Sequence, residues 1–164
     1  PALDVVGKGY EEKKLYLPQL LMSAEAAKCA FEIIKSALGS SVRASKKLTV
    51  AIATVKGDIH DIGKNIVKLI LENYGYEVLD LGKDVSPEAI ADAVIKNNVA
   101  LVGLSALMTT TVPAMEKTVE ILKSAAPDCK IMVGGAVLTK EYADMIGAAY
   151  YAKDAMEAVR YLEK

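Results

Sequence analysis

Leu48-Thr49-Val50-Ala51-Ile52-Ala53-Thr54-Val55 runs directly into Lys56-Gly57-Asp58-Ile59-His60-Asp61-Ile62-Gly63-Lys64-Asn65. The first stretch is continuously apolar apart from two threonines, which suits a strand covered on both faces in a parallel sheet. The second is a polar loop with two glycines, two aspartates and the only histidine of the chain. Residues 63–74 then have helical composition, and Gly75 closes them. A buried strand, a loop and a helix in that order make one βα unit.

The same alternation continues downstream. Residues 77–81 read as a second strand. Ser86-Pro87-Glu88 opens a helix, with Ser as N-cap and Pro in the first helical position, that runs to about Asn97. Residues 99–105 form the third strand and 112–125 the third helix. A fourth strand over 130–133 precedes Gly134-Gly135. Residues 140–146 are helical, 149–151 a short last strand, and 154–164 the last helix. This alternation predicts an α/β, Rossmann-like (flavodoxin-like) fold: a five-stranded parallel sheet with helices on both faces. Ligands in such sheets bind beyond the carboxyl ends of the strands, where the winding reverses between strands one and three. The loops to watch are therefore 56–63 and 106–111.

Upstream, residues 1–38 read as helical. Leu17-Pro18-Gln19-Leu20 is a helix start, and residues 20–38 are rich in Ala, Leu, Met, Glu and Lys. Gly39 is a stop, and the small and polar residues 39–47 read as a linker. The chain opens on Pro1 rather than Met, so the natural start is expected further upstream.

The composition narrows the function classes. Twenty basic against 21 acidic side chains leave a net charge of −1 in 164 residues. No basic field attracts nucleic acid or anionic lipid. No apolar run reaches membrane length, and no signal-peptide pattern is present. Cys29 and Cys129 belong to no CxxC pair, which argues against a disulfide framework or a zinc site and for a reducing cytoplasm.

Within the first loop, a neutral imidazole is a common metal ligand. A carboxylate on its other ring nitrogen would fix the tautomer, and Asp58 is near enough in sequence to do so. A surface histidine in a polar turn is the plain alternative. Ordinary zinc lacks a second imidazole or a thiolate pair.

Asp58-x-His60-x-x-Gly63, then Ser105-x-Leu107, then Gly134-Gly135 resembles the signature of cobalamin-binding domains. The run Gly57-Asp58-Ile59-His60-Asp61-Ile62-Gly63-Lys64-Asn65-Ile66-Val67 is similar to the methyltransferase branch, which holds methionine synthase and the corrinoid proteins of anaerobic methyl transfer. The resemblance covers nearly the whole chain. It implies cobalamin or a related corrinoid as cofactor, with His60 as lower axial ligand to cobalt in the base-off/His-on mode. Asp58 would hydrogen-bond His60. Thr111 stands where methionine synthase has the serine that completes a His-Asp-Ser relay, so its hydroxyl would have to serve. Ser105 and Thr109 would contact the displaced nucleotide tail and the nearby corrin edge. Gly103, Gly134, Gly135 and Ala136 would line the slot for that tail, with Ala155 near its end. Tight strand–helix packing is the plain alternative for each glycine. Gly57, Ile59, Asp61, Ile62, Gly63 and Leu107 complete the expected cofactor contacts.

Tyr10, Leu17 and Leu20 resemble the covering positions of the helical cap that shields the upper face of the corrin in the same family. An amphipathic helix on a core is the plain alternative. The family's cap is a four-helix bundle, and about two helices are present here. The expected domains are a partial cap over 1–38, a linker over 39–47 and a corrinoid-binding domain over 48–164. The first half of the cap is expected to be removed, disordered, or replaced by a partner chain such as a second copy.

The implied function is a methyl carrier that cycles between Co(I) and methyl-Co(III) and is not catalytic alone. The implied partners are a methyl-donor-specific methyltransferase, a methyl-acceptor methyltransferase and a reductive activase, with no nucleic acid or membrane. Rival readings are the small subunit of a B12-dependent mutase and a B12-sensing regulatory domain. A response-regulator-like domain would need clustered acids after strand one and a lysine after a later strand, and neither is evident.

Overall fold

The structure is a computed structural model that describes residues 2–38 and 48–163. The expected linker, 39–47, and the Gly39 stop lie outside the described residues. Two helices, α1 (Ala2–Glu11) and α2 (Leu17–Leu38), precede the sheet. The break between them has a local cause. Lys14 and Leu15 N–H both return to the Gly9 carbonyl, and Lys13 takes a left-handed φ of 58°. At the start of α2 the Gln19 side chain accepts the Tyr16 N–H at 2.7 Å, one arm of a capping box.

The sheet contains β1 (Thr49–Thr54), β2 (Glu77–Asp80), β3 (Leu101–Ser105), β4 (Lys130–Gly134) and β5 (Tyr150–Tyr151), all parallel in the order β2-β1-β3-β4-β5. This is the flavodoxin-like order expected from the sequence. Its helices are α3 (Ile62–Asn73), α4 (Pro87–Lys96), α5 (Val112–Ala125), α6 (Lys140–Ile146) and α7 (Ala155–Leu162).

Ser86 caps α4 through the Ala89 N–H, and Thr139 and Asp154 cap α6 and α7 in the same way. Asp154 is thus the cap rather than the first turn of the last helix. The third strand begins at Leu101 instead of Val99, because Asn98 turns left-handed (φ 48°) and the Val99 N–H returns to the Val94 carbonyl, finishing α4.

Strand parity sorts the core into two layers. Ala51, Ala53, Val102, Leu104, Ile131 and Val133 face α4, α5 and α6, packing on Ile90, Val94, Met115, Val119 and Leu122. Val50, Ile52, Leu101 and Met132 face the other way, against Ile70 and Leu71 of α3, Met156 and Val159 of α7, and Leu20 of α2. The α1 helix reaches the same face, where Gly7 lies against the Met156 side chain. Among the described residues no helix is long and apolar enough to cross a membrane.

Two features of this packing yield measurable expectations. Cys129 is buried, which pushes its thiol up to about 11, whereas Cys29 is exposed. Titration of the native protein with a thiol reagent at pH 8 should show one fast thiol, and the second only after unfolding; two fast thiols would contradict the packing. Gly135 has a φ of 138°, and a Cβ there would overlap the Ala106 carbonyl oxygen, while a Cβ on Gly63 meets nothing within 4 Å. Urea unfolding should show Gly135→Ala losing about 1–3 kcal/mol or more and Gly63→Ala losing less than about 0.5 kcal/mol.

Candidate functional site

At the carboxyl end of the sheet β1 and β3 are neighbours, but α3 leaves on one face and α5 on the other. The two loops that part there are joined by one carboxylate. Asp58 is fully buried. Its Oδ2 accepts the Leu107 N–H at 2.6 Å, the Met108 N–H at 3.3 Å and the Thr111 hydroxyl at 3.0 Å. Its Oδ1 accepts the His60 backbone N–H at 3.0 Å and lies 2.7 Å from His60 Nδ1. Burial opposes the charge. The donors from Leu107, His60 and Thr111 outweigh it and hold the carboxyl well below the usual carboxylate range. Thr111 Oγ1 is also 2.8 Å from the Met108 carbonyl, so its single proton is shared between two acceptors.

With Asp58 ionised, the 2.7 Å contact requires the donor to be His60 Nδ1, and in the neutral imidazole this tautomer leaves the lone pair on Nε2. The imidazole is 45% exposed, and no described residue hydrogen-bonds Nε2. The Thr54 hydroxyl donates to the His60 carbonyl at 3.3 Å, which steadies the backbone. Ile59, Ile62 and Leu107 are exposed apolar side chains of the same loops.

A cleft of about 740 Å³ opens beside this loop, on the α3/α7 face of the sheet. Of the residues singled out from the sequence, Ile59, His60, Asp61, Ile62, Gly63, Gly103, Ser105, Leu107, Gly134, Gly135, Ala136, Ala155, Tyr10, Leu17 and Leu20 line it. Asp58 and Thr111 sit behind His60 instead, Gly57 is exposed in the turn, and Thr109 is exposed on the 3-10 turn Thr109–Thr111. The floor comes from Ile52, Gly103 and Met132, neighbours on β1, β3 and β4. A Cβ on Gly103 would stand 3.4 Å from Ile52 and 3.5 Å from Met132, and into the cleft.

Several wall residues were missed from the sequence. Ile52, Ile66, Val67 and Met132 read there only as parts of strands and a helix, and strand parity with helical phase was the signal available for them. Lys64, also in the wall, has a side chain only 2% exposed and donates to Asp80 Oδ1 at 2.6 Å. Burial disfavours the Asp80 charge, but Lys64 and the Gly82 N–H hold that carboxyl low. Asp84 accepts the Gly57 N–H at 2.8 Å, and this bond, with Lys56, keeps it low as well. No sequence signal pairs these acids with their partners.

The donor set suits a particular kind of metal. No cluster of three or more His, Cys, Asp or Glu able to hold an ion is found among the described residues. One imidazole is too few ligands for a bare zinc ion. It suits a metal that brings most of its ligands with it, as a corrin ring does. A cleft of about 740 Å³ floored by a glycine leaves room for a slender tail attached to such a ring.

Known proteins agree with this reading. A model of the B12 binding domain matches residues 48–160, and a second B12 binding domain model matches residues 1–35. The chain is 40% identical over 159 residues to dimethylamine corrinoid protein 1 of Methanosarcina acetivorans, covering 96% of this chain and 75% of that protein. It superposes with a TM-score of 0.86 on a cobalamin-binding protein from Desulfitobacterium hafniense, at 31% identity over 98% of this chain and 76% of that one. A chain of the methanol:cobalamin methyltransferase complex MtaBC from Methanosarcina barkeri gives a TM-score of 0.82 at 32% identity, over 98% of this chain and 62% of that one. The chain therefore belongs to the family of B12-binding proteins.

Proposed function

We propose that this chain is a corrinoid methyl carrier that holds its cofactor base-off/His-on and serves two partner methyltransferases. The observation that carries the reading is the buried Asp58 carboxylate 2.7 Å from His60 Nδ1, with Nε2 left unbonded beside a cleft of about 740 Å³. When bound, the corrinoid would supply the chemistry, a cobalt able to accept and release a methyl group.

The chain's own groups bind, orient and shield. His60 Nε2 would hold the cobalt. Asp58 keeps the proton on Nδ1, and Thr111 with the Leu107 and Met108 N–H groups keeps Asp58 ionised. A proton and a metal would compete for the same Nε2 lone pair, which would couple ligation to protonation. Ser105, Gly103, Gly134, Gly135, Ala136 and Ala155 admit the nucleotide tail. Tyr10, Leu17 and Leu20 belong to a partial cap over 1–38, joined through 39–47 to the binding domain 48–164. The chain is thus a carrier subunit of a methyltransferase system. Its partners are a donor-side and an acceptor-side methyltransferase with a reductive activase, in the cytoplasm, and a second copy or another chain completes the cap. The resemblance to a chain of a methyltransferase complex supports this assignment.

Two measurements test the reading. Reconstituted with hydroxocobalamin, the wild type should show the His-on visible spectrum and His60→Ala should not; an unchanged spectrum and affinity in His60→Ala would falsify the central assignment. Asp58→Asn should weaken hydroxocobalamin binding by about 10- to 100-fold. Folding lowers the Asp58 pKa, so as pH falls the unfolded chain takes up the proton first. Unfolding of the unloaded protein in urea should show a stability gap between wild type and Asp58→Asn that is full above pH of about 3.8 and shrinks below it. A gap that stays constant down to pH 2.5 would contradict this.

A further inference from the structure

We propose that Asp84 is a positioning residue for His60, acting through the turn that follows β2. The β1–β2 pairing does not stop at Asp80. Thr54 N–H donates to the Gly82 carbonyl at 2.9 Å, Val85 N–H donates to the Thr54 carbonyl at 3.1 Å, and Val55 and Val85 form a parallel bridge. Asp84 extends this grip onto the histidine loop with both its backbone and its side chain. Its N–H donates to the Asp58 carbonyl at 3.0 Å. Its Oδ1 accepts the Gly57 N–H at 2.8 Å and lies 3.1 Å from Lys56 Nζ. Lys83 Nζ stands 4.0 Å from Asp61 Oδ2. One short turn therefore grips the chain just before Ile59-His60, with only a long surface ion pair beyond it.

The backbone of Asp84 adds a second observation. Its φ is 55°, in the left-handed region where a side chain carries strain and glycine would sit freely. An aspartate there supplies what glycine cannot, an acceptor for the Gly57 N–H. The carboxylate of Asp58 fixes the imidazole from one side; Asp84 fixes the Lys56–Gly57 and Asp58–Ile59 peptides, the stretch of backbone that leads into the histidine. Ile59 and His60 are exposed, so few packing contacts would otherwise hold this segment.

The consequence for the cofactor rests on the reading of His60 as ligand, but the ordering of His60 does not. Two variants separate the side chain from the backbone. Asp84→Gly keeps the left-handed conformation and removes the acceptor, whereas Asp84→Asn keeps an oxygen for Gly57. His60 is the only histidine, so imidazole resonances of the 15N-labelled unloaded protein report it alone. Asp84→Gly should broaden or multiply those resonances, weaken hydroxocobalamin binding about tenfold and lower the His-on share of the bound cofactor. Asp84→Asn should restore most of each. A single wild-type imidazole signal with wild-type affinity in Asp84→Gly overturns the proposal, as does an Asp84→Asn variant as impaired as Asp84→Gly. His60→Ala is the parallel arm. If it binds hydroxocobalamin like the wild type, the ligand assignment fails, and Asp84 is judged on the imidazole resonances of the unloaded protein.

Discussion

A carboxylate with no exposure to water must be surrounded by donors, and Asp58 recruits its donors from two loops that leave the sheet on opposite faces. Leu107, Met108 and Thr111 come from the β3–α5 connection, and His60 comes from the β1–α3 connection. The separation of α3 from α5 at the switch point parts the two loops, and this ion ties them together behind His60. Without this carboxylate, the Leu107 and Met108 N–H groups would each lose an acceptor, while Thr111 would keep only the Met108 carbonyl. The tautomer of the imidazole, the shape of the β3–α5 turn and the mouth of the cleft all follow from one side chain.

The cleft lies on one face only, and the reason is again local. Ile52, Gly103 and Met132 occupy equivalent positions on adjacent strands and share the α3/α7 side. Gly103 is the place on that row where no side chain rises, so the helices there have nothing to pack against near the sheet. The opposite face is filled by Val102, Leu104, Ile131 and Val133 against α4, α5 and α6. A one-residue shift of register would move the glycine into the filled layer and lose the opening.

Much of this was legible in the sequence because the signals are short-range. The helices over 112–125 and 140–146 have the bounds expected for them, since a proline in the first turn and a threonine cap mark their starts. The histidine loop was legible because its unusual residues are consecutive. The family resemblance and the strand order place Thr111 with Asp58, and the structure brings the two oxygens to 3.0 Å. The Lys64–Asp80 pair and the reach of Asp84 to Gly57 were not legible. Residues 16 and 27 positions apart meet there because β2 lies beside β1 and its loop continues the pairing, and no periodicity encodes side-chain bonds across that edge.

Tyr10, Leu17 and Leu20 share one cleft with residues of β1, β3, β4, α3 and α7. The two N-terminal helices are therefore part of the wall and not a separate attachment. A wall built from two segments makes occupancy and docking reciprocal. Whatever fills the cleft holds α1 and α2 against α3 and α7, and whatever pries those helices away weakens the grip on the occupant by the same free energy. The helices thus act as a thermodynamic handle, through which a protein that binds them can set how tightly the cleft holds its contents without touching the histidine.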